Sequence, residues 1–87
     1  MIDNHQIITV IQGALEGAQI EVKNPHKDGL HFDAIVIAKQ FIGKSLVQQH
    51  QMVMDPLKEL FATKLHALSL KTYTPEEWEN ERNTRKD

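Results

Sequence analysis

The segment HALSLKTYTPEEW, residues 66–78, combines a strand with the start of a helix. In its first half, small and polar residues alternate with Leu68 and Leu70, which is the pattern of a strand with one buried face. Thr74 is followed by a proline and, three residues later, by Glu77, and this spacing predicts a helix that begins with a capping box. Because a long helical region precedes the strand, the strand can run parallel to an earlier one and form a mixed sheet.

That helical region is predicted to begin at Ser45. Its apolar stripe at helical spacing consists of Leu46, His50, Val53, Leu57 and Leu60 or Phe61. Pro56 lies inside the region. Proline lacks a backbone N–H and clashes with the preceding turn, so we expect a kink or a break into two helices near Asp55.

The N-terminal half of the chain predicts one helix and one hairpin. The helix has Asn4 as its cap, Gly17 near its end, and an amphipathic stripe of Ile7, Ile8, Val10, Ile11, Ala14 and Leu15. Residues 19–23 alternate between polar and apolar, and residues 31–38 are rich in β-branched and aromatic side chains. The six residues 24–29 between them carry turn-forming types, which indicates a β-hairpin.

The predicted order of elements is αββααβ, followed by a C-terminal helical turn. It indicates an α+β domain, an α/β sandwich in which helices pack on one face of a three-stranded mixed sheet. A chain of 87 residues fits a single domain. We assign residues 1–78 to this domain, with Trp78 anchored on its body. We expect the polar residues 79–87 to form a frayed tail.

Composition excludes several classes of function. The chain has no cysteine, so it lacks a thiolate nucleophile, a CxxC redox pair and a Cys-based zinc site, and any soft-metal role must use histidine or external ligands. No catalytic constellation is present, and a chain this short offers little cleft from which water could be excluded, so we do not expect an enzyme. The start of the chain lacks a signal sequence and no apolar run is long enough to span a membrane, which predicts a cytoplasmic protein.

The distribution of charge disfavours binding to nucleic acids. Residues 1–73 contain seven Lys and seven acidic residues, whereas residues 74–87 contain five acidic and three basic residues, which gives the net charge of −2. The body is therefore neutral and the sequence pI is about 6.2. Proteins that bind through phosphate contacts usually have a basic face and a high pI.

Three histidines are the remaining candidates for chemistry. His26 and His31 flank the hairpin loop, and His66 opens the last strand. A sheet pairing that places the loop beside that strand would gather the three imidazoles at one edge. Imidazole binds zinc, copper and iron, although histidines at loops and strand ends are commonly surface residues without a ligand. Both interpretations stay open from the residues alone.

Two segments, FIGKSLVQQHQMV (41–53) and LHALSLKTYTPEEW (65–78), resemble the most recognisable stretches of the BolA-like family. The resemblance covers nearly the whole chain and is closest to the short bacterial members. It implies a fold similar to a type II KH domain, which agrees with the αββααβ order. The Gly-x-x-Gly clamp of RNA-binding KH domains is absent because Gly43 has no glycine three residues away, so we do not expect RNA binding in that mode.

The resemblance implies a partnership with a monothiol glutaredoxin around a shared [2Fe–2S] cluster, in iron–sulfur trafficking or iron homeostasis. The glutaredoxin and glutathione would supply thiolates, and the family's histidine ligand maps onto His66. Some members place Cys-Gly in the hairpin loop, where this chain has Asp28 and Gly29. His26, and slightly less His31, are therefore the candidates for a second ligand. We expect no cofactor in the isolated chain, which would be a monomer or a weak homodimer.

Family members are also linked to transcription regulation and the stress response, so DNA binding is the alternative function. The candidate phosphate contacts are Lys64, Lys71, Arg82 and Arg85. In a third interpretation, His66 is an ordinary strand-end residue that helps a complex form without a cluster. Salt dependence separates the DNA function from the other two, because phosphate binding weakens steeply with added salt.

Overall fold

The computed structural model describes residues 3–27, 31–63, 65 and 67–84. Its elements, in chain order, are helix α1 (Asn4–Ala14), strands β1 (Gln19–Lys23) and β2 (His31–Ile37), a 3-10 turn (Lys39–Phe41), helix α2 (Leu46–Met54), a second 3-10 turn (Asp55–Leu57), helix α3 (Lys58–Thr63), strand β3 (Ala67–Tyr73) and helix α4 (Pro75–Thr84). This is the predicted order of elements.

The three strands form one sheet in the order β1-β2-β3. β1 and β2 pair antiparallel as the predicted hairpin, with Gln19 opposite Ile37. β3 runs parallel to β2, with His31 opposite Ala67 and Ile37 opposite Tyr73. The mixed sheet that the long helical connection predicted is therefore confirmed.

Helix α1 begins one residue earlier than the sequence predicted. The cap is Asp3, whose carboxylate accepts a hydrogen bond from the Gln6 backbone N–H, while the Gln6 side chain accepts one from the Asp3 N–H. These reciprocal bonds satisfy two backbone donors that a helix start leaves free. Asn4, the predicted cap, instead uses its side-chain amide to donate to the Val22 carbonyl at 2.9 Å, which ties α1 to β1.

The predicted break at Pro56 is present. α2 ends at Met54, the turn Asp55–Leu57 follows, and α3 begins at Lys58. The predicted stripe on α2 is wrong at its start, because Leu46 is 63% exposed, whereas Gln49, the residue before His50, is only 7% exposed. The inward face of α2 therefore passes through Gln49 and Val53, which are one helical turn apart.

One hydrophobic core lies between the helices and the sheet. Its buried members come from α1, from alternate positions of β2 and from the α2–α3 region: Ile7, Ile11, Leu15, Ala18, Phe32, Val36, Ala38, Phe41, Val53, Leu57 and Leu65. Leu68 and Leu70 of β3 pack against this core. Helices α1 to α3 thus cover one face of the sheet, as predicted.

Helix α4 reaches the opposite face. Tyr73 lies on that face by the alternation of β3, and the ring of Trp78 is 5.1 Å from the Tyr73 ring between centroids. Trp78 is half-buried, in agreement with the predicted anchor. We expected residues 79–87 to fray, but α4 runs through Thr84, and residues 85–87 lie outside the described residues. No helix in the described part of the chain is long and apolar enough to cross a membrane.

Candidate functional site

The hairpin turn brings two of the three candidate ligands together. The Lys27 N–H donates to the Asn24 carbonyl at 3.1 Å, which closes a turn with Pro25 at its second position. Lys27 adopts a φ of 54°, in the left-handed region that residues other than glycine rarely use. The chain thereby folds His26 back toward β2, where its ring meets the His31 ring at 5.8 Å between centroids and an angle of 89°.

This histidine pair lies at the end of the sheet where both parallel strands begin. His31 is the first residue of β2, and it is opposite Ala67, the first residue of β3. Ala67 directly follows His66 in the sequence. His66 itself, like Asp28 and Gly29, lies outside the described residues.

The histidine pair can offer nitrogen ligands at adjacent positions. His26 is exposed and His31 is half-buried. Among residues 3–27, 31–63, 65 and 67–84, no group of three or more His, Cys, Asp or Glu side chains is arranged to hold a metal ion. The described residues therefore do not form a complete mononuclear metal site, and a metal bound by this pair would need further ligands.

Two of the four candidate DNA contacts, Lys71 and Arg82, belong to the described residues. Lys71 lies on the open face of the sheet, in a row with Ile35 and Glu21, so a carboxylate shares its row. Arg82 lies on α4, where it forms an exposed ion pair of 3.7 Å with Glu79, and such pairs contribute little energy. Lys64 and Arg85 lie outside the described residues.

Sequence reasoning missed a buried side-chain amide, that of Gln49, which joins the segments 41–53 and 65–78. The Gln49 Nε2 donates to the carbonyls of Phe41, at 3.3 Å, and Lys44, at 3.0 Å. Its Oε1 accepts from the Thr72 hydroxyl at 2.7 Å. The turn before α2 is thereby bonded to β3. The sequence did contain a signal for this contact, because Gln49 lies one helical turn before the buried Val53. The predicted apolar stripe passed through His50 and so put Gln49 on the exposed side of α2.

Sequence reasoning also missed an exposed apolar patch on the turn and first residues of α2. Ile42, Leu46 and Val47 are 65%, 63% and 67% exposed. Leu46 and His50 line one side of a shallow groove whose other side is formed by β3 residues Leu70–Tyr73.

The comparisons with known proteins agree with this architecture. The BolA-like protein family matches residues 5–77. Acid stress protein IbaG of Escherichia coli (strain K12) is 38% identical over 81 residues, which cover 92% of this chain and 93% of that protein. The DNA-binding transcriptional regulator BolA of the same strain is 37% identical over 54 residues, 62% of this chain and 51% of that protein. A BolA protein homologue from Coxiella burnetii has a TM-score of 0.78 and 35% identity, with 91% of this chain and 99% of that chain covered. The chain belongs to the BolA-like protein family.

Proposed function

We propose that the protein is a non-enzymatic adaptor that pairs with a monothiol glutaredoxin and helps to ligate a bridging [2Fe–2S] cluster. The observation that carries this proposal is the contact between the His26 and His31 rings, at the end of the sheet where β3 begins. Membership of the family supports it. The relatives named above are described as a stress protein and a transcriptional regulator, not as enzymes.

The donor chemistry fits a cluster shared between two proteins. The chain has no cysteine, so it can contribute only part of a ligand set that includes thiolates, and the glutaredoxin and glutathione would supply the thiolates. His66, with His26 or His31, would supply the nitrogen ligands. Replacing thiolate by imidazole raises the reduction potential of a [2Fe–2S] cluster, as in Rieske centres.

The proposal is tested by anaerobic mixing of the full chain with a cluster-loaded monothiol glutaredoxin and glutathione. Size exclusion, visible absorption and circular dichroism then follow the complex. We expect a coloured one-to-one complex whose spectrum differs from that of the glutaredoxin homodimer. His66→Ala should shorten the lifetime of the cluster, and His26→Ala and His31→Ala together identify the second ligand.

His5→Ala is the matched control, since His5 is exposed on the first turn of α1. It should behave as wild type. An unchanged spectrum and cluster lifetime in His66→Ala would show that this residue is not a ligand. Absence of co-elution and of any spectral change would exclude the adaptor function and favour DNA binding.

DNA binding is the second candidate function because a relative is named a DNA-binding transcriptional regulator. Affinity for a mixed-sequence duplex, measured by fluorescence anisotropy over a range of salt concentrations, tests it. If Lys71 contacts a phosphate, Lys71→Ala should reduce the slope of log K against log salt by about 1. Lys58→Ala is the control, because Lys58 lies in α3 and is held 3.7 Å from Asp55. Equal slopes for the two variants would exclude Lys71 as a contact.

A further inference from the structure

The turn that carries His26 contains a residue in an unfavourable backbone conformation. Lys27 has a φ of 54°, and in this left-handed region the Cβ atom of an L residue crowds its own backbone. Among the described residues, no other residue except glycine has a positive φ. Glycine and asparagine adopt this conformation readily, whereas lysine does so at a cost in free energy. The surrounding structure therefore holds Lys27 in this conformation.

The same turn contains a second unfavourable feature. The side-chain oxygen Oδ1 of Asn24 is buried and accepts no hydrogen bond from the described residues. An asparagine in a turn commonly stabilises it by bonding the backbone two residues further on, and a buried polar atom without a partner costs free energy. Asn24 gives the turn no such support. The bond that closes the turn joins backbone groups, from the Lys27 N–H to the Asn24 carbonyl at 3.1 Å.

Both features lie beside the histidine pair. His26 directly precedes Lys27, and its ring contacts the His31 ring at 5.8 Å between centroids. The φ of Lys27 sets the direction in which the chain leaves the turn toward β2, so it also sets the position of His26 relative to the first residue of that strand. Unfavourable conformations of this kind are concentrated at binding and active sites, where they hold groups in a required arrangement.

We propose that Lys27 is a positioning residue, whose left-handed backbone conformation holds His26 against His31 before a partner binds. The Lys27 side chain is exposed, whereas its backbone closes the turn, so the backbone and not the ammonium group acts on His26. The inference rests on the proposed function, in which this pair supplies an imidazole to the cluster. A histidine that is already held in place loses less conformational entropy on binding than one on a mobile loop.

Two substitutions that both remove the ammonium group separate the backbone from the charge. Asparagine tolerates a positive φ, whereas valine, which is branched at Cβ, is a rare outlier there. Lys27→Asn should therefore retain the contact between His26 and His31, and Lys27→Val should lose it. The nuclear Overhauser effect between the ring protons of His26 and His31, measured in the full chain without a partner, reports the contact.

Lys44→Val is the matched control, because Lys44 is another exposed lysine and lies in the turn before α2. It should leave the ring-to-ring effect at its wild-type intensity. In Lys27→Val, changes in amide chemical shift should be confined to the hairpin. That result would show that the rest of the domain keeps its fold.

The lifetime of the cluster in the complex with glutaredoxin and glutathione is the second readout. Lys27→Val should shorten this lifetime several-fold, and Lys27→Asn should restore the wild-type value. The ring-to-ring effect is measured without glutaredoxin or iron. If the wild-type chain formed no complex, the proposed function would fail, while the ring-to-ring effect would still decide whether Lys27 positions His26.

Three results would overturn the proposal. Equal ring-to-ring effects in Lys27→Val and Lys27→Asn would show that the backbone conformation of Lys27 does not hold the pair. Equal loss in both variants would assign the effect to the ammonium group. Loss of the contact in Lys27→Val with an unchanged cluster lifetime would show that the cluster does not use the position of His26.

Discussion

At the scale of the residue, Gln49 is one of two buried polar residues in the described part of the molecule, and the other, Thr72, is its hydrogen-bond partner. Both hydrogens of its amide are donated to backbone carbonyls, and its oxygen accepts from Thr72. A buried amide is expensive unless it is bonded, and here all its contacts join the turn before α2 to β3. Gly43 in that turn has a φ of 81°, which favours glycine.

We predict that Gln49→Leu and Thr72→Val each lower the free energy of unfolding by about 1–3 kcal/mol, because each leaves a buried partner unsatisfied. The double variant should lose less than the sum of the two, since it removes both members of the pair. Urea unfolding measures all three. Gln51→Leu, at an exposed position of α2, is the control. Strict additivity would contradict the direct coupling.

The contact between His26 and His31 could not be predicted from the sequence. Their types and places beside the loop were visible in the sequence, but their contact depends on the turn at Asn24–Lys27, in which a lysine takes a positive φ. Neither lysine nor its neighbours signal that conformation. The exposure of Leu46 was missed for a similar reason, because the rotation of α2 depends on the bonds of Gln49 with a distant strand.

At the scale of the element, helix starts were the most predictable feature. α1, α2 and α4 each begin with reciprocal bonds between a cap and the third residue after it: Asp3 and Gln6, Ser45 and Gln48, and Thr74 and Glu77. Local chemistry decides these positions, so the sequence contains the information. The break at Pro56 is local too. The choice of Asp3 over Asn4 as the cap is not decided locally, because the Asn4 side chain donates to the Val22 carbonyl of β1.

We predict that Thr74→Ala destabilises α4 and lowers the free energy of unfolding by about 1 kcal/mol, because its hydroxyl accepts the Glu77 N–H at 3.2 Å. Amide hydrogen exchange should become faster along α4, and the fluorescence of Trp78 should change as its contact with Tyr73 loosens. Thr9→Ala, at an exposed position within α1, should have no comparable effect. Unchanged exchange along α4 would contradict the role of this cap.

At the scale of the whole molecule, one core supports two surfaces with different chemistry. The helix layer buries one face of the sheet. The other face carries charges of both signs, with Glu21 and Lys71 in one row and Lys23 and Asp33 in the next. The histidine pair lies at one end of the sheet, where β2 and β3 begin. Both surfaces therefore depend on the same β2–β3 pairing, and so on the core beneath it.

Because there is a single core in the described structure, we predict that the chain unfolds in one cooperative step. Phe41 is fully buried where the turn before α2 meets the sheet, so Phe41→Ala should cost about 3–5 kcal/mol, a large part of the stability of a small domain. Ile42→Ala, at the exposed neighbouring position, should cost about 0.5 kcal/mol or less. Urea unfolding followed by far-ultraviolet circular dichroism and by the fluorescence of Trp78, the chain's single tryptophan, should give coincident transitions for both variants. Separate transitions would mean that α4 and the sheet end it covers unfold independently of the core.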